Sequence, residues 1–478
     1  MQHGSTHDLI VIGAGPAGEK GALTASVLGK TVAIVERDRR VGGAATNTGT
    51  LPSKTLRETA LALSGLKARS LYGVDLSLRR QATVADFMFH EERVTANERS
   101  RILGHLARPG IELIHGEASF VDAHTVRVAG TPERLLRGDV ILIATGSSPA
   151  RPPEFPFEHP RVADSDEVLS LDHLPSSLAV VGAGVIGSEY ACTFAALGAE
   201  VHVIDGRSIL LPFLDRELSQ ALTAAMEKLG IVFHWGERVL RCEAPETGDV
   251  TLSLASGARL AIDTVLVAAG RDSNVERLKL AAAGITTGQR GLITVDKGFR
   301  TNVPHIYAVG DVIGFPALAS TSMEQARVAM CHAFDVNLKD EISPLLPTGI
   351  YTIPEVSAVG CTEEELKAQG VDYVVGRAFY QQNPRGEIIG DECGFLKLLF
   401  RRGDGRLLGV HAIGESASEL IHIGLMALLT DSDWTVFNRA CFNYPTLGDL
   451  YKDAMHRALV GEIESRGGVQ ALPKETRS

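Results

Sequence analysis

Two glycine-rich turns of the form Gly-x-Gly-x-x-Gly constrain the fold of this chain more than any other feature. Each follows an apolar strand (residues 8–12 and 178–181) and opens a helix, and the two copies stand about 170 residues apart. Glycines at these positions allow a tight turn, let backbone N–H groups approach a pyrophosphate, and permit close packing of helix on strand. The defining residues are Gly13, Gly15 and Gly18 in the first turn and Gly182, Gly184 and Gly187 in the second. The pattern predicts two βαβ dinucleotide-binding units in an α/β fold.

An acidic residue closes the second strand of each unit. Glu36 lies 23 residues after Gly13, where a carboxylate can accept hydrogen bonds from an adenosine ribose. Asp205 holds the same place in the second unit and favours the free 2′-hydroxyl of NAD, whereas the nearby Arg207 could accommodate the 2′-phosphate of NADP. A solvated surface arginine is the alternative interpretation of Arg207. Two sites in one chain imply a flavin and a nicotinamide nucleotide.

Composition excludes several function classes. The 478-residue length suggests two to four domains, and 45% hydrophobic residues with 49 glycines are typical of a soluble α/β enzyme. A net charge of −11 argues against nucleic-acid binding. Six scattered cysteines without a CxxC pair favour neither a disulfide framework nor a zinc site, so we expect no metal and a reducing cytoplasm. The sequence has no signal peptide at its start and no apolar run of about 20 residues, so we expect no membrane association.

Composition also suggests how the chain is divided. A proline-rich segment at 149–160 and a break near 344–347 separate regions of different pattern. We predict a first part of an FAD-binding domain at 1–150, an NAD(P)-binding domain at 151–272 and a second part of the FAD-binding domain at 273–345. Alternating stretches at 395–400 and 407–413 predict an antiparallel sheet with helices, an α+β dimerisation domain at 346–464. The polar tail at 465–478 is expected to be disordered.

Residues 42–54 read GGAATNTGTLPSK, a loop that resembles the catalytic segment of the flavoprotein disulfide reductases, such as glutathione reductase and dihydrolipoamide dehydrogenase. In that family two cysteines five positions apart form the disulfide that takes electrons from the flavin. The matching positions here hold Ala45 and Thr50. The resemblance implies that Gly43 and Thr46 contact the cofactor and that electrons leave the flavin by another route.

The resemblance further implies that FAD occupies the first unit. The run TNVPHIYAVGD at 301–311 is similar to the family's second flavin signature, in which the aspartate, here Asp311, holds the ribityl chain. Turns that follow apolar strands complete the expected cofactor contacts, at Thr145, Gly146, Gly270, Arg271 and Gly310. The second unit is then expected to bind the nicotinamide nucleotide.

Lys54 and Glu189 match a charged pair of the family. The lysine of that pair lies near the flavin N5 and pairs with a glutamate just after the second glycine turn. A fixed cation stabilises an anionic reduced ring, and its partner offsets the cost of burying the charge. A surface lysine and a helix-face glutamate are the alternative interpretation.

The C-terminal motif departs from the reductases. Their His-Pro-Thr-x-x-Glu segment supplies an acid–base pair for thiol chemistry, and the matching positions here are Tyr444 and Asp449. Tyrosine is a poor base for a thiol at neutral pH because its ordinary pKa is about 10, against about 6.5 for histidine. We keep both residues as candidate catalytic residues, placed by the resemblance at the flavin of a partner subunit.

FNYPT at 442–446 and the absence of the redox cysteine pair resemble the soluble pyridine nucleotide transhydrogenase branch of this superfamily. The resemblance implies hydride transfer between NADPH and NAD⁺ through FAD, in two half-reactions at one nucleotide site, by a homodimer or larger homo-oligomer. Two alternatives stay open at this point. One is an NAD(P)H diaphorase, quinone reductase or oxidase of the same fold, and the other is a low-turnover flavin-binding regulatory subunit.

Overall fold

The computed structural model describes residues 5–65, 84–130 and 132–465. Its strands are β1 Ser5–Ile12, β2 Val32–Glu36, β3 Ile111–His115, β4 Glu117–Phe120, β5 Thr125–Ala129, β6 Arg134–Ile143, β7 Ser147–Pro149, β8 Val162–Asp164, β9 Ser177–Val181, β10 Glu200–Asp205, β11 Val232–Trp235, β12 Val239–Glu243, β13 Val250–Leu254, β14 Arg259–Ile262, β15 Thr264–Val267, β16 Arg271–Ser273, β17 Ile306–Ala308, β18 Thr348–Ile350, β19 Val356–Gly360, β20 Tyr373–Phe379, β21 Phe395–Arg401 and β22 Leu407–Ile413.

Helices connect these strands. They are α1 Pro16–Val27, α2 Gly43–Asn47, α3 Thr50–Ser64, α4 Val84–Leu106, α5 Val185–Ala196, α6 Arg216–Lys228, α7 Ala319–Ala333, α8 Glu363–Ala368, α9 Pro384–Ile389, α10 Ala417–Leu429, α11 Thr435–Arg439 and α12 Leu450–Ser465. Short 3₁₀ turns occur at Glu167–Ser170, Glu276–Leu278, Leu280–Ala283, Gln289–Gly291, Gly310–Ile313, Tyr380–Gln382 and Leu447–Asp449.

The first sheet has the order β3-β2-β1-β6-β5-β4, with β17 beside β6. Strands β3, β2, β1, β6 and β17 run parallel to their neighbours. Strand β5 pairs antiparallel with both β4 and β6. Continuous apolar runs such as 9–12 and 32–35 form the parallel centre because both faces of that centre are covered. Strand β17 lies beyond the second nucleotide-binding unit in the sequence and pairs with β6 of this first sheet.

A second parallel sheet contains the second glycine turn. Its order is β11-β10-β9-β15-β8, with a small antiparallel sheet, β12-β13-β14, packed against it. A two-stranded ribbon of β7 and β16 joins this unit to the first sheet. Both parallel sheets therefore place the carboxyl ends of their central strands, and the glycine turns that follow them, toward one cleft.

The C-terminal sheet is antiparallel, with the order β18-β19-β22-β21-β20, and helices α10 and α12 pack on it. This arrangement confirms the predicted α+β architecture of the C-terminal region. The fold class is therefore as expected, while the domain boundaries stay predictions. The expected disordered tail lies, beyond residue 465, outside the described residues.

One feature of the sequence interpretation is wrong. The resemblance predicts a loop at 42–54, but α2 and the first turn of α3 occupy most of it, with a break at Thr48 and Gly49. Thr46, Pro52 and Ser53 are buried, and α3 packs against α4 and against α5 of the second unit, so tertiary contacts stabilise these helices. No helix in the described part of the chain is long and apolar enough to span a membrane.

Candidate active site

In the first glycine turn the backbone lies so close to neighbouring backbone that no side chain fits. Gly13 has φ of +104°, and a Cβ there would lie 2.4 Å from the carbonyl oxygen of Ala144. A Cβ at Gly18 would lie 1.8 Å from the carbonyl oxygen of Gly13, so helix α1 packs on the turn with no room for a side chain. The N–H groups at the start of α1 are consequently left facing the cavity described below, as anion binding requires.

Glu36 fixes the shape of this turn. One carboxylate oxygen accepts a 2.7 Å hydrogen bond from the Ala14 N–H, and the other accepts a 2.9 Å bond from the Asp38 N–H. Burial raises the pKa of the Glu36 carboxyl in spite of these bonds. The carboxylate lines the cavity, at the position from which it can accept a ribose hydroxyl.

The second turn repeats this design. Gly182 has φ of +106°, and a Cβ at Gly187 would lie 2.0 Å from the carbonyl oxygen of Gly182. Asp205 takes the place of Glu36, because its Oδ2 accepts a 2.6 Å hydrogen bond from the Ala183 N–H. The two units therefore present equivalent anion-binding turns to one cleft.

The Arg207 side chain donates two hydrogen bonds to the Asp205 carboxylate. Its Nε donates to Oδ1 at 2.8 Å and its Nη2 donates to Oδ2 at 2.6 Å, while the Arg207 backbone N–H also donates to Oδ1 at 2.8 Å. Burial opposes ionisation of Asp205, but these bonds from Arg207 and that from Ala183 lower its pKa below the ordinary value. Arg207 is therefore not merely a solvated surface arginine.

Lys54 and Glu189 form the ion pair that the resemblance implies. Lys54 Nζ lies 2.6 Å from Glu189 Oε2, and the two side chains are 26% and 5% exposed. Glu189 Oε1 accepts a 3.0 Å hydrogen bond from the Tyr351 N–H, and the Tyr351 ring centroid lies 5.1 Å from Lys54 Nζ. Helix α3, helix α5 and the start of the C-terminal region are thus tied together at one charged cluster.

A second network surrounds Asp311. Ser147 donates a 2.7 Å hydrogen bond to Asp311 Oδ2 and accepts one of 2.8 Å from Arg271 Nε. Asn274 binds the carbonyl oxygens of Thr145 and Gly146, at 2.9 and 3.1 Å. This network fixes the strand-to-turn junctions where Thr145 and Arg271 were predicted to contact cofactor.

Residues of both glycine turns, the Lys54–Glu189 pair and the Asp311 network line one cavity of about 1400 Å³. That volume exceeds the roughly 300–1,000 Å³ of an ordinary small-molecule site and suits two nucleotides. The predicted residues in its wall are Gly13, Gly15, Glu36, Gly43, Lys54, Thr145, Gly146, Gly184, Glu189, Gly270, Arg271, Gly310 and Asp311. Ala45 and Thr50 also line it, so the positions that hold the reductase cysteines face the cavity.

Other predicted residues lie outside this wall. They are Gly18, Thr46, Gly182, Gly187, Asp205 and Arg207. Thr46 is 3% exposed and packs against Gly42, so its side chain does not face the cavity. Tyr444 is 75% exposed and, like Asp449, is absent from the wall of its own chain's cavity. Their role at a partner's site stays a prediction.

Sequence reasoning missed four residues of the site. Ser147 directly follows Gly146, and Asn274 lies three residues after Arg271, so their closeness to predicted turns was an available signal. Asp166 lies in the cavity wall with its carboxylate 3.8 Å from Arg271 Nη1, and burial raises its pKa. Asp166 and Tyr351 carry no local signal, because only the tertiary fold brings them to the cavity.

The cavity fits FAD. Thr145 Oγ1 is buried in the wall and has no hydrogen-bond partner within the described residues, as expected of a group that binds a ligand. The glycine cradle, the N-terminus of α1, Glu36 and Asp311 supply the pyrophosphate and hydroxyl partners that a dinucleotide requires.

One cluster of carboxylates could suggest a metal. Asp215, Glu217 and Glu363 have oxygens within 4.8 Å of one another. Lys397 Nζ lies among them, at 2.7, 3.0 and 2.5 Å, and is 1% exposed. A buried ammonium therefore occupies the place that a cation would take, and the cluster joins the second unit to the C-terminal sheet.

Comparison with known proteins agrees with this geometry. The family model for pyridine nucleotide-disulphide oxidoreductases matches residues 7–333, and the model for the dimerisation domain of the same family matches residues 346–455. The soluble pyridine nucleotide transhydrogenase of Mycobacterium tuberculosis is 47% identical over 94% of this chain and 96% of its own. The protein of the same name from Colwellia psychrerythraea is 41% identical over 95% and 98%.

Solved structures give the same result for the fold. LpdA from Mycobacterium tuberculosis superposes with a TM-score of 0.87 at 26% identity, covering 95% of this chain and 99% of its own. The Cu(II) complex of the HOCl-induced flavoprotein disulfide reductase RclA from Escherichia coli has a TM-score of 0.86 at 27% identity, with the same coverage.

Proposed function

Because the chain belongs to the pyridine nucleotide-disulphide oxidoreductase family, we propose that it is an FAD-dependent NAD(P)⁺ transhydrogenase, which passes hydride between NADPH and NAD⁺. Relatives that bear the name soluble pyridine nucleotide transhydrogenase are 41–47% identical to it over nearly its whole length. The proposal includes a homodimer, supported by the match to the family's dimerisation domain, and a cytoplasmic location.

One observation carries the proposal. The cavity wall contains residues of both glycine turns, Glu36, the Lys54–Glu189 pair and Asp311, yet the two positions that would hold a redox disulfide are Ala45 and Thr50. None of the chain's six cysteines lies in the described cavity wall. Because thiol exchange needs a thiolate, electrons cannot pass to a disulfide substrate through this chain. The nicotinamide pocket is the exit that the residues support.

Bound FAD supplies reversible acceptance and return of one hydride. The chain's residues position the partners of that transfer. The N-termini of α1 and α5 bind pyrophosphates, Glu36 and Asp205 bind adenosine riboses, and Asp311 holds the ribityl chain. The hydrogen bonds that orient Glu36, Asp205 and Asp311 support these roles.

Lys54 provides the fixed positive charge of the site, and Glu189 keeps that charge in place. Glu189 binds the ammonium with one oxygen and the Tyr351 N–H with the other, so its carboxylate has little freedom to move. A preorganised cation costs little reorganisation when negative charge develops beside it. No proton donor is needed for hydride exchange between two nicotinamides, which is consistent with the loss of the His–Glu pair at Tyr444 and Asp449.

Steady-state kinetics with NADPH and thio-NAD⁺ test the proposal. Successive use of one pocket predicts parallel double-reciprocal plots, because the first oxidised nucleotide leaves before the second enters. Lys54→Met is expected to lower kcat strongly, while Lys228→Met, the same change on an exposed residue of α6, is expected to leave it unchanged. Rapid turnover of a quinone with no transfer to thio-NAD⁺ would replace the proposal with the diaphorase alternative.

A further inference from the structure

We propose that Arg238, together with Arg207, forms the subsite that binds the 2′-phosphate of NADP(H). The inference rests on the proposed function for its choice of ligand, and it assigns a binding role to a residue on a separate strand connection. Arg238 follows β11, about 30 residues after the Asp205–Arg207 turn that follows β10. Nothing in the spacing of the sequence links the two turns.

The fold brings the two turns into contact. Strands β10 and β11 are parallel neighbours, with Asp205 opposite Trp235, so both connections leave the same edge of the sheet. The Gly236 N–H donates to the Arg207 carbonyl at 3.1 Å, and the Glu237 N–H donates to the Asp205 carbonyl at 3.2 Å. Two backbone hydrogen bonds thus hold the second turn against the first.

The Arg238 side chain lies beside Gly206, the residue between Asp205 and Arg207. A Cβ built on Gly206 would lie 3.5 Å from Arg238 Nε and 3.9 Å from its Cγ. The Arg238 side chain is exposed, and it forms no hydrogen bond or ion pair with any other part of the chain that the structure describes. An exposed guanidinium without a side-chain partner therefore lies beside the Asp205–Arg207 turn, next to the acid that is proposed to bind the adenosine ribose.

The charges around this point favour a phosphate. The Asp205 carboxylate alone would repel a phosphate, but two side-chain hydrogen bonds from Arg207 neutralise its charge. The Arg207 side chain is 45% exposed. Glu237 is the other nearby acid, and its carboxylate instead accepts the Ser256 N–H at 3.2 Å. Arg238 then adds an uncompensated positive charge, and arginine is well suited to phosphate oxygens.

The same arrangement explains how NAD(H) can share the pocket. Asp205 already accepts four hydrogen bonds, from Ala183 and from three Arg207 donors. A ribose 2′-hydroxyl that donates to Asp205 must therefore displace at least one guanidinium bond, whereas a 2′-phosphate leaves the fork in place. Arg207 therefore takes a different position when NAD(H) is bound from the one it has when NADP(H) is bound. Arg238 contributes only to the binding of NADP(H).

Calorimetric titration of the FAD-loaded protein with adenosine 2′,5′-bisphosphate and with 5′-AMP tests this inference. Arg238→Ala is expected to weaken the bisphosphate about five- to tenfold, as loss of one partly exposed charge-assisted contact predicts. Its affinity for 5′-AMP should stay within about twofold, and Arg238→Lys should recover part of the loss because it keeps the charge. Arg241→Ala is the matched control, since Arg241 is exposed on the adjacent strand and pairs with Glu243.

Equal weakening of both ligands in Arg238→Ala, or no weakening of either, would overturn the inference. So would an equal loss in Arg241→Ala, because the effect would then come from general surface charge. Binding of these fragments needs no hydride transfer, so the result is separate from the proposed function. A protein that fails to transhydrogenate but shows the Arg238 effect refutes only the function, and an active enzyme without the effect refutes only the subsite.

Discussion

Glu189 should affect hydride transfer only through Lys54. Its carboxylate spans the Lys54 ammonium and the Tyr351 N–H, and Leu is a replacement of similar size that can bind neither. In Glu189→Leu the ammonium loses its partner and becomes free to leave the position in which the cavity wall holds it. In a Lys54→Met background the same change removes a partner that no longer has a function.

The expected size follows from the geometry of the pair. At 2.6 Å the charges attract by about 6 kcal/mol at an effective dielectric constant of about 20, and by about 1.6 kcal/mol in bulk water. Lys54 is 26% exposed, which places the effective interaction between these limits, at about 3 kcal/mol. If that energy is what holds the cation in place, its loss slows hydride transfer by up to about 150-fold.

Stopped-flow reduction of the bound flavin by NADPH measures this rate in the wild type, both single variants and the double variant. We expect Glu189→Leu to slow reduction by about 30- to 150-fold alone and by less than about twofold in the Lys54→Met background. Glu200→Gln, at an exposed acid of the same unit, is the control and should change nothing. Independent effects that multiply in the double variant would refute the account of Glu189 as a positioning residue.

Three further predictions follow from buried geometry. Gly18→Ala should prevent FAD incorporation, and Gly187→Ala should preserve the flavin spectrum but abolish nicotinamide nucleotide binding. In each variant the new Cβ would lie within 2.0 Å of a carbonyl oxygen. Normal FAD loading or normal nucleotide binding would contradict this steric argument. Lys397→Met should lower the thermal unfolding midpoint by about 3–5 °C, since three carboxylates lose a fully buried partner, while Lys228→Met leaves it unchanged. Although burial opposes it, hydrogen bonds from Lys397 and Tyr373 hold the pKa of Glu363 at about 2. The ionised Glu363 carboxylate therefore stabilises the folded state fully above the unfolded-state pKa near 4.5, and this stabilisation is lost as the pH falls toward 2. Urea unfolding midpoints should fall across that pH range in the wild type and much less in Lys397→Met.

The parallel parts of the fold could be predicted from the sequence because local signals coincide there. A buried apolar strand, a glycine turn and a terminal acid occur together at both units, and each has a direct physical reason. The antiparallel strands 125–129 and 250–254 were missed, since short alternating segments carry a weak signal. The short helix at 43–47 was missed, because a helix of five residues depends on tertiary packing.

Contacts between distant residues divide in a similar way. The Lys54–Glu189 pair, 135 positions apart, was expected only from the family resemblance. Tyr351, Arg238 and the Lys397 cluster were not expected, because nothing in their local sequence marks them. The turns that follow parallel strands meet at one edge of a sheet, but only the coordinates show which side chains meet there.

The central claim is that one nicotinamide pocket serves both half-reactions. The most direct measurement is anaerobic reduction of the bound flavin by one equivalent of NADPH, followed by rapid mixing with NAD⁺ while the flavin absorbance is recorded. The account predicts full return of the oxidised spectrum, formation of one equivalent of NADH, and a rate at least equal to steady-state turnover. A flavin that stays reduced in the presence of NAD⁺, or that reoxidises only with a quinone or oxygen, would contradict it.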